Sequence, residues 1–189
     1  MKRLLMIFTA VVAFASVSSA QQRAGTSEGV GGFHYQHFFL DDSDMIDYSG
    51  GFVIDFGSDH FITETVYAGF SLGYSYSIIT SDFSGISSSA EVHDLRLPIR
   101  AGLASADSKF KFDTGPFLDF SIAGKSEVSY GSEKSVTRLK DMDVKRVSLG
   151  WGVNMRLFGF LTVGYGVKLT DSPFGEGGDM HILTVGITL

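Results

Sequence analysis

The dominant pattern along the chain is an alternation of apolar with small or polar residues. Over residues 65–78, one phase carries Val, Ala, Phe, Leu, Tyr and Ile, while the other carries Thr, Tyr, Gly and Ser. Because successive side chains of a strand point to opposite faces, this period of two predicts a β-strand. The same alternation recurs in seven further segments, at 33–40, 52–56, 95–103, 110–122, 146–157, 162–169 and 181–189.

The connections between these eight predicted strands alternate in length. Polar loops at 41–49, 80–89, 126–143 and 171–179 are separated by short turns at 57–62, 105–108 and 158–160. Long loops at one end and short turns at the other are typical of an outer-membrane barrel, whose short turns face the periplasm. We therefore predict an all-β fold, an eight-stranded antiparallel up-and-down transmembrane β-barrel with both chain ends on the periplasmic side.

The N-terminus has the features of an export signal. Two basic residues come first, followed by an apolar stretch over 4–15 and small residues at 18–20, before a cleavage predicted at Gln21. The apolar stretch is too short for a membrane-spanning helix, which needs about 20 apolar residues, and no run long enough follows later. The predicted organisation is a signal peptide at 1–20 and an outer-membrane β-barrel domain at 21–189.

Composition narrows the range of functions. Removing Lys2 and Arg3 leaves 13 of the 15 basic residues against 21 acidic ones, so the exported chain has a net charge of −8. This charge argues against binding nucleic acid through its phosphates. The chain has no cysteine, which excludes a lipid anchor at the cleavage site, thiol catalysis, cysteine-ligated zinc and disulfides.

The polar phase of the strands is predicted to face the lumen. A soluble barrel such as a lipocalin also alternates, but its apolar phase points inward. Here the polar phase is rich in Gly and Ser, which suit the interior of a narrow barrel. It also carries charges of both signs, which can pair in the lumen and would be costly there if unpaired: Asp55, Arg96, Arg100, Lys111, Asp113, Asp119, Arg146, Arg156 and Lys168.

The opposite phase is predicted to face lipid. Tyr74, Tyr76, Trp151 and Tyr165 fall on it, and their rings have polar atoms suited to the interfaces of a membrane. Inside, eight strands leave a space that side chains can fill. Since several of the predicted lumen side chains are large, we expect a plugged barrel with no stable open channel.

Two proline-containing strands carry a family resemblance. Leu-Arg-Leu-Pro-Ile at 95–99 and Thr-Gly-Pro-Phe-Leu-Asp-Phe at 114–120 resemble a strand pair of the Bacteroidetes-type outer-membrane β-barrel family that includes PorT-like proteins. Gly-Tyr-Gly at 164–166 and Leu-Thr-Val-Gly-Ile at 183–187 are also similar. The resemblance implies an outer-membrane barrel, and PorT-like members are associated with protein secretion. Such barrels often end in an aromatic residue, whereas this chain ends in Leu189.

The two prolines also have a physical meaning of their own. Pro98 and Pro116 each lack the backbone N–H that a strand ladder uses. We therefore expect a bulge or a local break in pairing at each position.

Two histidines are the only candidates for chemistry on the lipid-facing surface. Some eight-stranded outer-membrane barrels modify lipids, and they need a histidine, a serine and a carboxylate. His37 and His181 fall on the outward phase of the first and last predicted strands, which are neighbours in a closed barrel. Leu183 and Val185 occupy the next outward positions, so no serine follows on that face. We therefore predict that the protein is not an enzyme and has no catalytic or cofactor-binding residues.

The first polar loop is the candidate cation site. It carries Asp41, Asp42, Asp44 and Asp47, and carboxylates at such spacing can bind Ca²⁺ or Mg²⁺. No twelve-residue loop with a central glycine and a terminal glutamate follows, and acidic clusters in loops are usually only solvated. We predict no metal site and no cofactor.

Function is predicted from the barrel and its loops. The main hypothesis is a small monomeric outer-membrane protein, embedded in lipid, with a structural or interaction role through its extracellular loops and a protein or surface partner. The mixed charges of the longest loop, 126–143, form no recognised motif. The alternatives are a soluble periplasmic lipocalin-like ligand-binding barrel and a lipid A-modifying enzyme.

Overall fold

Antiparallel strands make up most of the described part of the protein. The computed structural model describes residues 24–40, 46–174, 176, 178 and 180–189, and the predicted signal peptide lies outside them. Within these residues no helix is long and apolar enough to span a membrane. The elements are β1 (Ser27–Leu40), β2 (Tyr48–Phe61), β3 (Val66–Phe83), β4 (Ile86–Ala104), β5 (Lys111–Tyr130), β6 (Glu133–Arg138), a 3-10 helix (Leu139–Asp141), β7 (Val147–Leu157), β8 (Leu161–Lys168) and β9 (Met180–Thr188).

Eight of these strands close into a ring. Each pairs with its neighbours in the order β1-β2-β3-β4-β5-β7-β8-β9, and β9 pairs with β1 to complete the circle. All pairings are antiparallel. The predicted eight-stranded barrel is therefore confirmed, while β6 is an additional strand whose one partner among the described strands is β5.

The two phases of the strands face the sides that the alternation predicted. On β3, Ser71 and Ser75 are fully buried, whereas the neighbouring Phe70 and Leu72 are each 59% exposed. Small polar residues thus line the interior, and large apolar residues cover the outside. The prediction that Arg146 faces the lumen is wrong. This residue is exposed and precedes β7, because that strand begins only at Val147.

The connections between β2 and β3, β4 and β5, and β7 and β8 lie at one end of the barrel, here called the turn end. The turns near 105–108 and 158–160 are confirmed, and the second includes two left-handed residues, Phe158 and Gly159. The turn predicted at 57–62 is displaced, because β2 continues to Phe61 and the chain reverses over 62–65. The other end is called the loop end.

Two segments predicted as long loops are strands instead. The β3–β4 hairpin continues to Phe83 and Ile86, with Ser84 (φ 54°) and Gly85 (φ 82°) as its two-residue turn. The segment predicted as a loop at 126–143 contains the end of β5, a turn at Gly131, β6 and the 3-10 helix. Residues 79–92 and 124–138 form four paired strand segments beyond the loop end, which we call the arm.

Both prolines interrupt strand pairing as predicted. The β3–β4 ladder has a gap at Pro98, and the β4–β5 ladder has a gap at Pro116. The register is the same on both sides of each gap, so neither proline creates a bulge. The β4–β5 register shifts only between His93 and Asp94, where the barrel wall passes into the arm.

Candidate functional site

The turn end of the lumen is occupied by an ion network. Lys111 Nζ donates to Glu28 Oε2 at 2.8 Å and to Asp59 Oδ2 at 3.2 Å. The other oxygen of Asp59 accepts a hydrogen bond from Arg100 Nε at 2.9 Å. Lys111 and Asp59 are almost fully buried. These four charges come from β1, β2, β4 and β5, so the network joins strands across the barrel.

A second ion network lies towards the loop end. Asp119 accepts two hydrogen bonds from Arg96, one from Nε at 2.6 Å and one from Nη2 at 2.8 Å. Lys168 Nζ donates to the same carboxylate and, at 2.8 Å, to Ser148 Oγ. Because all the charged members are buried, the pairing is what makes their presence in the lumen tolerable.

Aromatic rings pack against each network. Lys111 Nζ lies 5.1 Å from the centre of the Phe61 ring and 5.2 Å from that of Tyr67, and both rings are buried. In the second network, the guanidinium of Arg96 lies 4.6 Å from the ring centre of Phe117, which packs in a cluster of buried apolar residues. Charge and ring together fill the lumen at two levels.

A cavity of about 120 Å³ lies in the lumen and is lined by polar and apolar side chains, including members of both networks. His34 Nε2 lies 3.3 Å from Asp55 Oδ1 on its wall. Four of the lining residues each have a buried atom with no hydrogen-bond partner among the described residues, namely His34 Nδ1, Gln36 Oε1, Asp55 Oδ1 and Arg100 Nη2. Such unpartnered polar groups are suited to bind water.

Most of the predicted lumen charges are brought together as expected. Asp55, Arg96, Arg100, Lys111, Asp113, Asp119 and Lys168 all make ion pairs or charged hydrogen bonds in the lumen. Arg156 lines the cavity, and no described residue forms an ion pair with it.

Sequence reasoning missed four interior groups. The predicted turn at 57–62 includes Asp59, and the strand predicted at 95–103 begins one residue after Asp94. Glu28 preceded the first predicted strand, which begins earlier in the structure. His34 could have been found, since it alternates with Phe33 and Tyr35 on β1.

The two candidate histidines lie on neighbouring strands, as predicted. His181 pairs with Phe39 of β1, and its Nδ1 lies 2.5 Å from the hydroxyl of Tyr165. His37 packs edge-on against the ring of Phe39. In the described part of the chain neither histidine forms an ion pair with a carboxylate.

One serine–histidine pair was not predicted. Ser27 Oγ and His60 Nδ1 lie 3.0 Å apart at the exposed turn end. No described carboxylate forms an ion pair with His60.

The acidic loop lies mostly outside the described residues, because Asp41, Asp42 and Asp44 fall in 41–45. Among the residues that are described, no cluster of three or more His, Asp or Glu side chains could hold a metal ion.

The arm has two chemically different faces. Its outer face carries a chain of ion pairs: Lys125 Nζ lies 3.3 Å from Glu91 and 2.9 Å from Glu127, and Lys134 Nζ lies 2.7 Å from Glu127. The hydrogen bond from Lys125, with a second from Lys134, lowers the pKa of Glu127 to about 2. The inner face continues the lumen side of the strands and carries exposed Phe83, Ile86, Val128 and Tyr130.

Comparison with known proteins places the fold. No protein-family model matches the sequence, and no curated protein matches it. Among solved structures, Neisserial surface protein A, an eight-stranded outer-membrane barrel, superposes with a TM-score of 0.52 at 12% identity, covering 87% of this chain and 98% of that one. The attachment invasion locus protein of Yersinia pestis gives a TM-score of 0.45 at 10% identity, covering 87% and 96% of the two chains. The similarity to the Neisserial protein shows that this chain has the fold of a small outer-membrane β-barrel.

Proposed function

We propose that this protein is a small outer-membrane barrel that acts through the arm, without an open pore and without catalysis. The observation that carries the proposal is the inverted distribution of polarity. Charged networks fill the interior, whereas Phe33, Phe56, Phe70, Leu72 and other large apolar side chains are exposed around the outside. Such a surface is costly in water and favourable in lipid.

A single tryptophan allows a direct test. Trp151 is the only tryptophan of the chain and lies on the outer face, 45% exposed, with its indole N–H donating to Thr114 Oγ1 at 2.8 Å. In vesicles that contain brominated lipid, we expect strong quenching of its fluorescence. A matched variant, Trp151→Phe with Tyr130→Trp, moves the tryptophan to the arm, where we expect little quenching. Equal emission of Trp151 with and without brominated lipid contradicts the proposal.

Orientation follows from the position of the termini. The start of β1 and the finish of β9 lie at the turn end, where Gly31 and Leu189 exchange backbone hydrogen bonds. In an outer-membrane barrel this end faces the periplasm, so the arm extends outside the cell. A protease added to intact cells is expected to cut the arm and to leave the C-terminus intact. Cleavage of the C-terminus alone contradicts this orientation.

The proposal also includes export through a signal peptide and membership of a protein family. We propose that residues 1–20 are a cleavable signal peptide, which N-terminal sequencing of the membrane-bound protein tests at Gln21. The strand motifs at 95–99 and 114–120 support membership of the Bacteroidetes-type family with PorT-like proteins. A role in secretion rests on that resemblance alone, and it predicts that deleting the gene reduces protein export.

The alternatives are separated by fractionation and lipid analysis. A lipocalin-like barrel would be recovered in the soluble periplasmic fraction, whereas the membrane barrel needs detergent and changes its gel mobility on heating. A lipid A-modifying enzyme would alter the lipid A mass spectrum of cells that produce it. We expect no change, and His37→Ala and His181→Ala variants would identify the responsible group if a change were seen.

A further inference from the structure

Strand β6 has an unused edge at the outer surface. It pairs with β5 from Lys125↔Arg138 to Tyr130↔Glu133, and no other described strand pairs with it. All six of its residues are exposed. An edge of this kind presents backbone N–H and C=O groups that can accept another strand.

The charges next to this edge are not balanced. On the outer face, Lys125 lies directly opposite Arg138, and like charges at opposite positions destabilise strand pairing. The carboxylates that lie nearest already bind lysines: Glu91 and Glu127 pair with Lys125, and Glu127 also pairs with Lys134. Among the described residues none forms an ion pair with Arg138.

The side chains along the edge therefore form a simple pattern. Lys134, Val136 and Arg138 share the outer face, because side chains two residues apart point to the same side of a strand. Val136 is 50% exposed between the two cations. A strand added beside β6 would meet a cation, an apolar side chain and a cation at successive outward positions.

We propose that the β6 edge binds an extended peptide with the pattern acidic-x-apolar-x-acidic, which joins the arm as an additional strand. Backbone hydrogen bonds supply affinity that does not depend on sequence, and the alternate side chains supply the specificity. The pattern is symmetric, so it fits whether the peptide runs parallel or antiparallel to β6. This inference rests on the proposed function, since it needs the arm to be accessible outside the cell.

A second copy of this chain fits the edge less well. Antiparallel pairing of β6 with itself about Val136 would place Lys134 of each copy opposite Arg138 of the other. Two further like-charge pairs would then be added to the one between Lys125 and Arg138. The charges of the edge favour an acidic partner over self-association.

The test uses the full-length protein folded in detergent micelles. Fluorescence anisotropy follows the labelled peptide Thr-Glu-Thr-Val-Thr-Glu-Thr and a control in which both glutamates are lysine. We expect saturable binding of the acidic peptide and much weaker binding of the control. N-methylation of alternate peptide nitrogens on the pairing edge should abolish binding, because it removes the donors of the ladder.

Charge reversal at the edge provides the decisive comparison. Arg138→Glu should weaken binding of the acidic peptide by about fivefold or more and strengthen binding of the lysine peptide. This variant replaces the like-charge pair with Lys125 by an opposite-charge pair, so the arm should remain folded. Asp107→Asn, in a turn at the opposite end of the barrel, is the control and should bind as the original protein does.

Any of three results overturns the inference. The first is equal binding of both peptides, and the second is unchanged binding after N-methylation. The third is a dimer of this protein that the acidic and the lysine peptide dissociate equally well. The quenching of Trp151 by brominated lipid does not involve the arm. Normal quenching without peptide binding therefore rejects the β6 site alone, whereas absent quenching rejects the membrane barrel itself.

Discussion

Asp119 is the position at which the paired lumen can be tested most directly. Its carboxylate is almost completely buried and accepts two hydrogen bonds from Arg96 and one from Lys168. Asp119→Asn keeps the shape of the side chain but leaves two buried cations with no opposing charge in this network. The variant also places an amide N–H₂ group, itself a donor, beside the donors of Arg96 and Lys168.

The expected loss of stability follows from that geometry. Removing one member of a buried charge pair typically costs about 3–5 kcal/mol, because the remaining charge is left uncompensated. With a urea dependence of about 2–3 kcal/mol/M, a loss near 4 kcal/mol lowers the unfolding midpoint by about 1.5 M. Urea titration of the protein in lipid vesicles, followed by the fluorescence of Trp151, measures the shift.

Two further variants make the result interpretable. Asp107→Asn changes an exposed carboxylate beside Lys109 and should leave the midpoint nearly unchanged. Asp119→Asn combined with Lys168→Met removes one of the two uncompensated cations, so it should recover part of the lost stability even if the single variant folds poorly. A single variant as stable as the original protein, or a double variant less stable than the single one, refutes the paired-lumen reasoning.

Three other predictions follow from the same structure. Glu127 should titrate with a pKa of about 2 because Lys125 donates a hydrogen bond to it. Its stabilisation of the arm is complete above its unfolded pKa of about 4.3 and is lost as the pH falls towards 2. Carboxyl NMR measures the pKa, and hydrogen exchange measures the stability of the arm. Gly115→Ala would place a Cβ 2.0 Å from the carbonyl oxygen of Ile99, so it should lower the free energy of unfolding in urea by about 1–3 kcal/mol. Gly29→Ala, with open space around it, should be tolerated. Equal stability of both variants contradicts the close strand approach. The protein should give no stable conductance steps in planar bilayers, and reproducible steps would contradict a plugged lumen.

The barrel strands were predictable because membrane and lumen impose opposite demands on successive residues. Over residues 65–78 the outer positions must be apolar and the inner ones small, so the alternation is strict and its phase can be identified. The partners inside the lumen were not predictable in the same way. Arg96 and Asp119 lie opposite each other only through the β4–β5 register, and Lys111 meets Glu28 across the barrel. An alternation of period two determines which face of the barrel a side chain lies on. It determines neither the register between neighbouring strands nor which side chains meet across the lumen.

The arm was missed for a related reason. Above the membrane both faces of a strand meet water, so residues 84–89 can be glycine, serine and isoleucine without the alternation that lipid enforces. Paired strands and polar loops then have similar composition. Gly85 in the left-handed region between Phe83 and Ile86 is the local signal for a tight hairpin, but it is a weak one without the pairing on either side.

The two lumen networks also bear on how the arm can bind a partner. Strand β5 carries Lys111 in one network and Asp119 in the other, and the same strand continues to Tyr130 in the arm, with one register shift against β4 on the way. The arm is therefore an extension of a strand that is fixed at two levels of the barrel, rather than a loop attached at its rim. A peptide that pairs with β6 meets an edge whose direction is already set, so little ordering of the protein opposes binding. Weakening a lumen network should then reduce peptide affinity as well as stability, since it loosens the base on which the arm stands.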